Sequence, residues 1–65
     1  MKEQIIKALQ LHFESQILKH KTNIDVMLEN PMAIHDHTDL TGAIELELAI
    51  IAEYSDKLEV LNNYF

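Results

Sequence analysis

Sixty-five residues with eleven acidic and five basic side chains, a net charge of −6, describe one small acidic domain and exclude a large enzyme with a multilayered core. A chain of this size buries only about 60% of its unfolded surface and usually needs a disulfide, a metal or a partner chain. With no cysteine, disulfides and thiolate zinc sites are excluded, and self-association becomes the leading remedy.

Residues 1–15 lack the uninterrupted apolar run of a signal peptide. No segment approaches the roughly 18 apolar residues that cross a bilayer, so a soluble, cytoplasmic chain without membrane contact is expected. One glycine and one proline leave little material for turns, which predicts long elements. The first is a helix over about residues 2–29. At about 100° per residue, Ile6, Leu9, Phe13, Ile17, Ile24, Met27 and Leu28 share an arc about 100° wide that must be buried. His20 interrupts this arc, and His12, at its edge near Gln16, Lys19 and Asn23, reads as surface.

Proline disfavours helical geometry in the residue before it, so the helix should stop near Asn30 and a turn should occupy about residues 30–37. Met32 and Ile34 would close the end of the core. Asp36 or Thr38 then offers a side-chain oxygen as helix cap, with Asp39 adding negative charge in the first turn. His35 and His37 form a His-x-His pair that zinc or nickel could use, but without further ligands at defined spacing a capped turn is the preferred reading.

The second helix is predicted over about residues 38–63. Ile44 to Leu48 alternates apolar and acidic residues as a strand would, yet Ala49, Ile50, Ile51, Ala52, Tyr54, Leu58 and Leu61 recur at helical intervals, and the longer pattern decides. Its apolar arc, which includes Leu40, Ala43, Ile44, Leu48, Ile50, Ile51, Tyr54, Leu58, Leu61 and Phe65, is too broad for one neighbour, and Leu46, Val60 and Tyr64 spill past it. The expected fold is therefore all-α: an antiparallel two-helix hairpin, a single domain, that dimerises into a four-helix bundle. The other outlet for the open stripe is docking on a different protein.

Glu47 lies near the centre of the second apolar arc. Partners across a turn at 31–38 have numbers summing to about 69, which brings His20 within about one helical turn of Glu47. A carboxylate buried alone is costly, so the two are a candidate buried polar pair that fixes register in a slippery interface. A metal- or ligand-binding bundle centred on His20 and Glu47 is the alternative, although the Glu-x-x-His spacing of di-iron bundles is missing.

Catalytic constellations are missing from the sequence: Ser15 and Ser55 lack a nucleophile-elbow context and the single Gly42 cannot build a phosphate-cradling loop. Neither enzyme activity nor a cofactor is expected. Residues 1–30 carry four lysines and four acids, whereas residues 31–65 carry seven acids and only Lys57. The exposed acids Glu45, Glu53, Asp56 and Glu59 form a candidate acidic interaction face. Such a field repels nucleic acid and suits a basic protein surface or plain solubility.

The run Glu29-Asn30-Pro31, then His35-x-His37-x-Asp39-Leu40, Ala43-Ile44-Glu45 and Asp56-Lys57-Leu58-Glu59-Val60-Leu61 ending in Tyr64-Phe65 resembles short uncharacterised proteins of tailed marine bacteriophages, including cyanophages. The resemblance spans about residues 15–65 and carries no functional residue. It implies action in the cytoplasm of an infected bacterium, with a host protein as a further candidate partner.

Overall fold

The computed structural model describes residues 1–30 and 39–65. Two helices, α1 (Lys2–Glu29) and α2 (Leu40–Tyr64), pack against one another as a hairpin. Contacts between Gln10 and Asn62, Phe13 and Tyr54, and His20 and Glu47 run in opposite directions along the two chains, so the helices are antiparallel. The strand-like stretch Ile44 to Leu48 lies inside α2.

Local chemistry sets the ends. Asn30, the residue before the proline in the sequence, leaves helical geometry at φ −132° and ψ 59° while its N–H still bonds the Val26 carbonyl at 2.9 Å. α2 begins at Leu40, two residues later than expected. Asp39, expected in its first turn, is instead its N-cap: the Asp39 carboxylate accepts from the Gly42 N–H at 2.8 Å and from the Thr41 hydroxyl at 3.2 Å. The candidate caps Asp36 and Thr38 lie outside the described residues, as do His35, His37, Met32 and Ile34.

Gly42 fits this cap because a Cβ there would stand 2.2 Å from Asp39 Oδ2. Gly42→Ala is therefore expected to forfeit the gain of about 1 kcal/mol that alanine normally brings to a helix, because the capping carboxylate must move. Asp39→Ala should cost about 1 kcal/mol, read as a lower melting midpoint.

The inward-facing residues follow a three-four spacing. The series is Ile6, Gln10, Phe13, Ile17, His20, Ile24 and Met27 on α1 and Leu40, Ile44, Glu47, Ile51, Tyr54, Leu58 and Leu61 on α2, with Gln16, Asn23, Gly42, Ala43 and Ile50 half-covered at its margins. That is the seam of a coiled coil, narrower than the arc of a globular helix. It corrects the expected burial of the first helix's stripe: Leu9 and Leu28 are exposed rather than covered. Leu46, Val60 and Tyr64 are exposed, as their position beyond the second arc implied.

Among the described residues none is fully buried. The molecule is a rod of 47 × 15 × 15 Å with a radius of gyration of 15.0 Å, where a compact chain of this length has about 11 Å. Its surface is 5188 Å², against about 4,250 Å² for a compact monomer of this mass. Two helices side by side expose most of their circumference, and the excess is the direct consequence. No helix among the described residues is long and apolar enough to cross a membrane.

Candidate functional site

The seam is apolar except where polar side chains meet across it. Nearest the turn, His20 Nδ1 donates to Glu47 Oε2 at 2.5 Å, and Asn23 Nδ2 donates to Glu47 Oε1 at 2.7 Å. Helical spacing places His20 and Asn23 one turn apart on α1, so both reach the same carboxylate from one side. Both oxygens of Glu47 are thus engaged. The His20 and Glu47 side chains keep 14% of their accessibility each, so the pair forms as the register predicted, although neither partner is fully buried.

The bond from His20 holds the Glu47 carboxyl below its ordinary value. Burial opposes this, while the Asn23 amide and the positive charges of His20 and Lys19 add to it. A carboxyl lowered on folding stabilises the folded state above its unfolded value, 4.5 here, and that stabilisation is lost as pH falls through the lowered folded value. Glu47→Gln should therefore flatten the fall in melting midpoint below pH 4.5, measured by circular dichroism beside the parent protein.

An aromatic layer lies next along the seam. The Phe13 and Tyr54 rings stand 6.0 Å apart, and His12, exposed as its place at the edge of the arc implied, meets the Tyr54 ring edge-on at 5.9 Å. Lys57 Nζ sits 5.0 Å from the centre of the Tyr54 ring and 3.8 Å from Glu53. Toward the chain termini, Gln10 Nε2 donates to Asn62 Oδ1 at 2.9 Å. Beyond it an open apolar groove of about 520 Å³ runs between the helix ends, with Ile5, Leu9, Leu61 and Phe65 among its lining residues.

Sequence reasoning missed Asn23, whose signal was its place one turn beyond His20, and the Gln10–Asn62 contact, signalled by Gln10 standing between Ile6 and Phe13. The candidate acidic face divides. Glu45, Asp56 and Glu59 share the solvent side of α2 at helical spacing, whereas Glu53 turns toward Lys57. Among the described residues no three histidine, aspartate or glutamate side chains stand close enough to share a metal ion. In comparisons with protein-family models, curated proteins and solved structures, the chain matches none.

Proposed function

We propose that this is a small non-enzymatic accessory protein that works as a self-associated helical bundle, with a homodimer as its working unit. The observation that carries the reading is the surface left open by one hairpin. The excess over a compact monomer is about 900 Å², close to the ~800 Å² that each partner contributes to a standard interface. Large apolar side chains stand in that surface: Ile5, Leu46, Val60, Tyr64 and Phe65 are all exposed.

His20, Asn23 and Glu47 support the same reading. His20 Nδ1 and Asn23 Nδ2 both bond the Glu47 carboxylate, which holds the two helices in register. In the assembled bundle the arc of Glu45, Asp56 and Glu59 faces outward and offers a negative surface to a basic protein of the host cell. Sedimentation equilibrium tests the reading. Twice the 7.5 kDa chain mass is expected at micromolar concentration, unchanged by Asp56→Lys; a single-chain mass overturns it.

A further inference from the structure

The side chains along one flank of α2, exposed except for the half-covered Ile50, follow a pattern centred on the axial level of residue 55. Leu46 and Tyr64 lie nine residues to either side of it, Ile50 and Val60 five, and Glu53 and Lys57 two. At about 100° per residue all six fall within one arc of the helix, and Lys57 leads directly to Leu61, which lines the apolar groove. Leu46 and Tyr64 are 70% and 75% exposed, and Glu53 and Lys57 keep about half of their accessibility or more. The flank is thus apolar at both ends and charged in the middle, with one charge of each sign.

Such a strip complements a reversed copy of itself. We infer that two copies of the chain meet along this flank with their α2 helices antiparallel, related by a two-fold axis that crosses the flank midway between Glu53 and Lys57. This rests on the self-association proposed above and adds its face and direction. The axis sets Leu46 against Tyr64 of the second copy and Ile50 against its Val60. Glu53 then meets the second copy's Lys57, and the reverse pair forms by symmetry. Leu46 of the second copy arrives at the rim of the groove and covers it. A parallel pairing of the same flanks would set Glu53 on Glu53 and Lys57 on Lys57, so charge selects the antiparallel arrangement. The surface a standard interface removes from each partner matches the excess the hairpin leaves.

The chain has no cysteine, so introduced thiols report cleanly. Leu46→Cys mixed with Tyr64→Cys should oxidise to cross-linked pairs of unlike chains, while each variant alone cross-links little. Self-linking of Leu46→Cys as efficient as the mixture means a parallel dimer. A dimeric mass with no cross-link in any combination means a different face. Either result overturns this inference and leaves the proposed self-association standing; a monomeric parent protein overturns both. Charge reversal gives a second reading of the same contact. Glu53→Lys and Lys57→Glu should each weaken association about tenfold, and mixing them should restore it through unlike pairs. Failure of the mixture to recover contradicts the cross-copy pairing, because the contact within one helix stays broken in both variants.

Discussion

Ile50→Glu is expected to give a single-chain species that has lost much of its helicity. Ile50 is partly covered by its own hairpin and stands on the flank assigned to the second copy. A glutamate there is carried into an apolar interface with no cation opposite, and an uncompensated charge in such a place costs about 3–5 kcal/mol. That is a loss of at least a hundredfold in association. The effect extends to folding, because among the described residues the separated hairpin has no fully buried side chain to sustain it. Sedimentation and far-ultraviolet circular dichroism on one sample should show mass and helicity falling together. Asp56→Lys, on the solvent side of the same helix, should leave both unchanged.

The second large effect concerns the polar layer. Glu47→Leu removes the acceptor for both His20 and Asn23 and leaves two donors facing apolar neighbours, which should cost about 2 kcal/mol in denaturant unfolding. Adding His20→Leu should recover most of that loss, since a polar pair replaced by packed leucines is often neutral in stability. What the double variant should not recover is a single register. Apart from the exposed Gln10–Asn62 bond, the remaining contacts along the seam are aliphatic, methionine and aromatic side chains, which tolerate a slip of one turn far better than a carboxylate held at both of its oxygens. Hydrogen exchange separates the outcomes: the parent protein should protect one continuous set of amides in each helix, and the double variant should exchange more uniformly and faster.

Much of the architecture was legible in the residues because punctuation is so scarce. One proline after Asn30 marks the end of α1 at Glu29, and antiparallel counting alone brings His20 to Glu47. The beginning of α2 was less legible. Asp36, Thr38 and Asp39 all have the chemistry of a cap, and the close approach of Gly42 to Asp39 is what distinguishes one of them in the folded chain. Leu9 and Leu28 were misplaced for a geometric reason. A helical wheel gives direction, whereas burial depends on how much of that direction a single neighbouring helix covers, and a two-helix seam covers little beyond the three-four positions and their immediate flanks. Asn23 escaped notice because asparagine at the margin of an apolar arc looks like surface until the carboxylate it serves is located.

Under the proposed self-association the hairpin and its pairing with a second copy are a single folding event. Thermal unfolding followed across a hundredfold range of chain concentration tests that most directly. For a dimer that melts to unfolded chains, the midpoint should rise by roughly 10 °C over the range, given the unfolding entropy of two chains of this length. A cooperative melt whose midpoint is the same at every concentration would contradict it.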